Sequence, residues 1–348
     1  MQKINQAATQ IFHIIHQNFL FIILSSYLIA VFLPDFGIEI RKITITDFTD
    51  FHIGLPKLML AFLLFNAGLG VKLKNLKTVV FKPMTLLFGI ITKICVPVFL
   101  VFILALILST WHNPNEAQNI LLGMIVVIAM PIANSTPTWT QNVDGNIALS
   151  LGLVFFSTML SPIITPLIIQ FSKSYLFGVF KEDMLTLIDW QTSLFLIISI
   201  VIPSLTGMLL QKVLGEEKVE SIKPLMKLTN LVVLILLIYS NASISLPQII
   251  SHPDLDYHFL IIIITIIISA LMFISGFVVS SLIGLKKKEQ VSFVFATGMS
   301  NNGAGLILLS AALPQYPEAL LPLIFFNLFQ QIFASTSTMF FSNKELVS

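Results

Sequence analysis

Cysteine and charge are what this sequence has least of. Cys95 is the only thiol in 348 residues, which excludes a disulfide framework and a cysteine-built zinc site and leaves Cys95 to be read as a packing residue. Charged residues make up only 10% of the chain, against about a quarter in an ordinary soluble domain. So little charge cannot cover a water-facing exterior. The net charge of +2 is small, and the lysines stand beside apolar runs rather than in a stripe, so nucleic acid is excluded as a partner. The N-terminus has Lys3 followed by a mixed polar stretch, without a small-residue cleavage site after the first apolar run, so no removable signal peptide is expected.

What is present is apolar: 56% of residues are hydrophobic and thirty are Phe. A spanning helix needs about 20 apolar residues, and ten segments qualify: 18–35, 55–71, 83–109, 118–141, 145–172, 190–212, 226–250, 258–284, 289–313 and 318–341. The expected fold is an all-α membrane protein embedded in the lipid bilayer. The preceding residues, 1–17, read as an interfacial segment with a weak amphipathic pattern.

Orientation follows from the basic residues, which concentrate in cytoplasmic loops. With a cytoplasmic N-terminus that side collects Lys3, Lys72, Lys74, Lys77, Lys82, Lys212, Lys218, Lys223, Lys227, Lys286, Lys287, Lys288 and Lys344. The other side holds only Arg41, Lys42, Lys57, Lys173 and Lys181. Both termini are therefore expected in the cytoplasm, with the protein in the cytoplasmic (inner) membrane.

Two of the ten segments are interrupted. The fourth contains Met130-Pro-Ile-Ala-Asn-Ser-Thr-Pro-Thr-Trp-Thr-Gln-Asn142 and the ninth contains Gly298-Met-Ser-Asn-Asn-Gly-Ala-Gly305, about 165 residues further on. Each is fourth in a group of five. Five spans is an odd number, so the second group inserts upside down, which predicts two inverted repeats, 18–172 and 190–341, with panel and core domains each drawing on both. Pro removes a backbone donor and Gly loosens the helix, and in hydrocarbon each freed polar group costs several kcal/mol unless something satisfies it. Such breaks persist where they line a cavity, with helix N-termini facing anions and carbonyl ends facing cations. The alternative is a pair of polar kinks bonded to neighbouring helices without a ligand. The expected substrate-binding residues are Asn134, Ser135, Thr136, Thr138, Asn301, Asn302 and Lys93, with Thr140, Gln141, Asn142 and Ser300 adding donors and acceptors nearby.

All seventeen acidic residues fall in loops or at span ends. Lys93 does not: it lies about ten residues into the third span, roughly 15 Å deep. A lysine there faces protein or a water-filled cavity, or else snorkels to the interface. Without a buried carboxylate, its partners are carbonyls, hydroxyls or an anionic substrate, unless the amine rests neutral until a proton is needed.

The chain resembles the bile acid:sodium symporter family over nearly its whole length. The resemblance is carried by Gly68-Leu-Gly-Val-Lys-Leu, by Asp144-Gly-Asn-Ile-Ala-Leu-Ser150 running into Ser157-Thr-Met-Leu-Ser-Pro-Ile-Ile-Thr-Pro166, by Gly298-Met-Ser-Asn-Asn-Gly303, and by Pro317-Glu-Ala-Leu-Leu-Pro with Phe326-Asn-Leu-Phe. It implies a ten-span fold whose fourth and ninth helices cross beside two sodium sites and an organic-anion cavity. The ion-binding or coupling positions that it implies are Thr136, Ser150, Met299, Ser300, Asn301 and Thr92, with Lys93 beside them. Several depart from the family pattern. Pro137 stands where an Asn is usual and Val154 where a Thr is. Ala296-Thr-Gly-Met-Ser-Asn301 replaces Glu-x-Gly-Met-Gln-Asn, and Thr92 takes the place of a Gln. A sodium site stripped of its carboxylate holds the ion weakly, so Lys93 is expected to weaken or replace sodium coupling.

The function expected is secondary transport of a small organic anion by alternating access, with no cofactor and with sodium as the candidate coupling ion. The alternatives are an ordinary sodium:organic-anion symporter, a passive channel, and a membrane-embedded enzyme. The enzyme lacks support, since no nucleophile and base, metal carboxylates or histidine cluster lie at membrane depth, and Asp254 with Asp256 reads as a solvated turn.

Overall fold

The computed structural model describes residue 11 and residues 18–48, 51–71, 83–251 and 253–343. The interfacial segment, apart from Ile11, and the lysines at 72–82 and 344 lie outside the described residues. In chain order the helices are α1 (Phe19–Phe32), α2 (Asp35–Lys42), α3 (Leu55–Leu69), α4 (Pro83–Leu108), α5 (Pro114–Ala129), α6 (Thr136–Asn142), α7 (Ile147–Ser172), α8 (Gly178–Asp183), α9 (Trp190–Leu196), α10 (Ile202–Leu214), α11 (Glu216–Ser251), α12 (Leu255–Leu282), α13 (Lys287–Gly298), α14 (Asn302–Ala312) and α15 (Leu320–Asn343). A π-helical turn, Ile197–Val201, joins α9 to α10.

Among the described residues six helical stretches are long and apolar enough to cross a membrane: Pro83–Leu108, Ile147–Tyr175, Trp190–Leu214, Glu216–Pro247, Leu255–Leu282 and Pro317–Ser342. They correspond to six of the ten expected segments, and the chain is an integral membrane protein. The other four are shorter or broken. The first expected segment ends in a 91° bend between α1 and α2, at Leu33 and Pro34, because a residue preceding proline is driven out of the helical region. α3 is 15 residues long, and the fourth and ninth segments are each split into two helices.

The described chain is helical as expected, apart from one short pair of strands. Two short strands, β1 (Thr44–Phe48) and β2 (Phe51–Gly54), pair antiparallel in the register Thr46↔Ile53, Asp47↔His52 and Phe48↔Phe51. Thr44-Ile-Thr is a run of β-branched residues, a strand signal too short to stand out beside the apolar runs.

The chain divides into two compact units. The first comprises residues 1–73 and 197–253, the second residues 74–196 and 254–348. In the first, α3 packs on α10 through glycines: a Cβ on Gly68 would stand 2.1 Å from the Ser204 carbonyl oxygen, and one on Gly207 2.0 Å from that of Phe65. Backbones this close are how membrane helices associate when no hydrophobic drive separates protein from lipid. Polar pairs add to the packing. Asn66 Nδ2 donates to Asn230 Oδ1 at 2.7 Å, Arg41 donates to Asn241, and the Tyr239 hydroxyl donates to the Leu33 carbonyl left over at the bend.

The second unit holds both broken segments. Its core sets Phe273, Val291, Val294, Phe295 and Met299 against Ala133, Ala334 and Phe341, and a second cluster joins Leu86, Ile132, Leu149, Leu153 and Ala296. Cys95 is exposed on α4, so it is not part of the packed core.

Candidate functional site

α5 stops at Ala129, where Met130 turns extended ahead of Pro131, and the helix restarts as α6 at Thr136. α13 stops at Gly298, Met299 is extended, and α14 restarts at Asn302. The two extended stretches lie side by side as an antiparallel bridge between Ile132 and Ser300. Ala133 N donates to Met299 O at 3.2 Å and Asn301 N to Pro131 O at 2.9 Å. Each break thus satisfies part of the other, which is how unwound backbone survives at membrane depth.

The remaining backbone groups are met by side chains from neighbouring helices. Ile132 N donates to Ser157 Oγ at 3.2 Å, and Thr165 Oγ1 donates to Ala129 O at 2.6 Å. Gln330 on α15 serves both groups of Ser300: its Oε1 accepts from the amide at 3.0 Å and its Nε2 donates to the carbonyl at 3.3 Å. Sequence reasoning did not give Gln330, Ser157 and Thr165 this role. The signal for Gln330 was a polar pair, Gln330 and Gln331, in the middle of the last apolar segment.

Lys93 is 4% exposed. Its ammonium donates to Ser300 Oγ at 2.6 Å and to Met299 O at 3.2 Å, at the C-terminal end of α13, where unpaired carbonyls favour a cation. The side chain therefore points into the protein and does not snorkel. Beside it is a cavity of about 20 Å³ lined by residues including Ile90, Met130, Pro131, Ser157 and Thr165, room for about one water molecule and none for an organic anion.

The other expected residues divide into those turned inward with a free group and those already engaged or exposed. Thr136 Oγ1 and both amide atoms of Asn302 are buried with no hydrogen-bond partner, at the first residue of α6 and of α14. Thr140 Oγ1 donates to Thr136 O at 3.0 Å and pairs with the Ser150 hydroxyl at 3.2 Å. Thr92 Oγ1 donates back to Phe88 O at 2.7 Å within its own helix. Asn301 caps α14, its Oδ1 accepting from Ala304 N at 3.4 Å. Asn134 and Ser135 are half-buried, and Thr138 is exposed. The structure brings Lys93, Met299 and Ser300 into direct contact. Thr92 and Ser150 spend their hydroxyls elsewhere. Among the described residues no three His, Cys, Asp or Glu side chains converge on a metal-binding point.

The model of a family described as "Sodium Bile acid symporter family" matches residues 57–252. Two proteins of Bacillus subtilis (strain 168) are similar. "Uncharacterized sodium-dependent transporter YocS" is 23% identical over 289 residues, covering 82% of this chain and 83% of that protein. "Uncharacterized protein YbaS" is 27% identical over 214 residues, covering 61% of this chain and 66% of that protein. Family and names alike point to a transporter and not to an enzyme.

Proposed function

We propose a transport mechanism from one premise: this chain belongs to the Sodium Bile acid symporter family. It carries a small organic anion across the cytoplasmic membrane by alternating access, with Lys93 taking the part of a coupling sodium ion. The spans are ten, with both termini cytoplasmic, arranged as the inverted repeats 18–172 and 190–341. Two observations support that arrangement. Each compact unit draws on both halves of the chain, and the two breaks pair antiparallel, as segments of opposite membrane orientation would.

The observation that carries the mechanism is the Lys93 ammonium on Met299 O and Ser300 Oγ. Both residues are positions that the family resemblance assigns to a sodium ion, and the carboxylate that would have shared that ion is Ala296 in this chain. A fixed ammonium supplies positive charge at the break without recruiting an ion from solution. Sodium coupling is thereby weakened or replaced by protonation of the amine. Substrate contacts come from the unpartnered Thr136 hydroxyl and Asn302 amide at the starts of the two half-helices, with Asn134, Ser135 and Asn301 beside them.

A second reading is favoured by the printed name of one relative, a sodium-dependent transporter. In it the chain is an ordinary sodium:organic-anion symporter, using Thr136, Ser150, Asn301 and backbone carbonyls. Uptake into proteoliposomes with sodium replaced by choline separates the two. Uptake that persists in choline supports the lysine mechanism, and uptake that vanishes overturns it. A non-saturating flux without counter-transport would identify a passive channel.

A further inference from the structure

At the end of the second unit farthest from the Lys286–Lys288 turn, three helices begin close together. Glu116 is in the first turn of α5 and Asn119 is one turn on. Glu318 precedes α15, and Tyr257 is in the first turn of α12. None of them belongs to the broken-helix site. We propose that they form an oxygen-lined site for a hard cation, calcium or sodium, open to the solution on that face.

The first argument is uncompensated charge. Glu116 is 6% exposed, and its carboxylate accepts from the Trp111 indole at 2.7 Å and from the Asn113 amide. Glu318, which is exposed, accepts from Asn119 Nδ2 at 2.8 Å. All these donors are neutral. Among the described residues no lysine, arginine or histidine pairs with either carboxylate, whereas a buried carboxylate ordinarily has a counter-charge.

The second argument is independent of the acids. The Tyr257 hydroxyl and Asn119 Oδ1 have no hydrogen-bond partner in side chains only 3% and 6% exposed. The Tyr257 ring lies within electrostatic reach of Glu318, Glu116 and Asp254. The amide of Asn119 is already committed to Glu318 through its nitrogen, so its carbonyl oxygen is held beside that carboxylate. Two carboxylates, an amide oxygen and a phenol oxygen make an all-oxygen set, the donor chemistry of hard cations rather than of zinc or copper. Only two strong ligands are protein carboxylates, so solvent completes the shell. Bound there, the ion would tie together the starts of α5, α12 and α15.

The site does not depend on the transport mechanism, and thermal unfolding of the purified full chain tests it. The protein is melted in choline chloride and then with calcium chloride or sodium chloride at equal ionic strength. A cation that binds only the folded state raises the melting temperature, by roughly 2–4 °C at about a hundredfold excess over its dissociation constant. That rise is expected in wild type and in Lys93→Met, and is expected to be lost in Glu116→Gln and Glu318→Gln. Glu318 is exposed, so its variant keeps the fold even where Glu116→Gln does not. A response to calcium alone or to sodium alone assigns the ion. The absence of any rise in wild type, or an equal rise in Glu318→Gln, overturns the proposal.

Discussion

Replacing Lys93 by methionine removes a charge at nearly constant length, and the structure says what that change leaves behind. Met299 O keeps a partner, because Ala133 N also donates to it at 3.2 Å. Ser300 Oγ loses the 2.6 Å bond but is a rotatable hydroxyl. Losing a buried charged bond costs about 1–3 kcal/mol, partly offset because the ammonium no longer has to be desolvated, so Lys93→Met is expected to fold. Transport suffers more. At an effective dielectric near 20, a positive charge about 6 Å from a carboxylate is worth roughly 3 kcal/mol, on the order of 100-fold in affinity. The assay starts with a thermal-shift screen of organic anions to find a ligand, followed by proteoliposome uptake of that ligand in sodium or choline. Wild type is expected to transport in both, and Lys93→Met to fall about 100-fold in both. The double variant Lys93→Met with Ala296→Glu restores the carboxylate and is expected to regain uptake in sodium only. A Lys93→Met variant that matches wild type in rate and pH profile would refute the reasoning.

Thr136→Val and Asn302→Leu remove buried polar groups that bond to nothing in the protein. They are expected to leave the melting temperature unchanged or slightly raised while weakening substrate binding about tenfold, as one lost hydrogen bond would; a fall in both quantities would mark a purely structural role. Gln330→Leu strands the amide of Ser300, whose carbonyl keeps the bond from Asn302 N at 2.9 Å, at about 1–3 kcal/mol for the unsatisfied group, so a melting temperature within a degree of wild type would contradict the bonding described. In the first unit, Gly207→Ala places a methyl 2.0 Å from a backbone oxygen of Phe65 and 2.8 Å from the amide nitrogen of Leu69. Separating α3 from α10 is expected to cost about 1–3 kcal/mol, read as earlier proteolysis within residues 197–253.

Much of the candidate site was legible in the chain because its signals are compositional. Proline and glycine inside apolar segments 118–141 and 289–313 mark places where a helix cannot continue, and α5 and α13 do end at Ala129 and Gly298. Lys93 stood out because a charge is conspicuous among apolar neighbours. The roles of the hydroxyls were not legible. Thr92, Ser150 and Thr136 look alike in the sequence, yet Thr92 bonds to its own helix, Ser150 pairs with Thr140, and Thr136 Oγ1 has no partner. A hydroxyl in a helix chooses between its own preceding turn and a neighbouring segment, and the neighbour is known only once the helices pack. The paired strands β1 and β2 were missed for the opposite reason, a pattern too brief to register.

The sequence by itself determined that the chain lives in lipid, that two of its apolar segments break, and that a single lysine is carried to membrane depth, since each follows from the cost of polar groups in hydrocarbon. Only the tertiary structure decided how that cost is met. An intact helix satisfies its backbone locally, whereas a broken one leaves donors and acceptors that distant segments must supply. Here the carbonyls of Pro131 and Met299 accept from Asn301 and Ala133 across the two breaks, Ser157, Thr165 and Gln330 fill what remains, and Lys93 reaches a carbonyl 206 residues away.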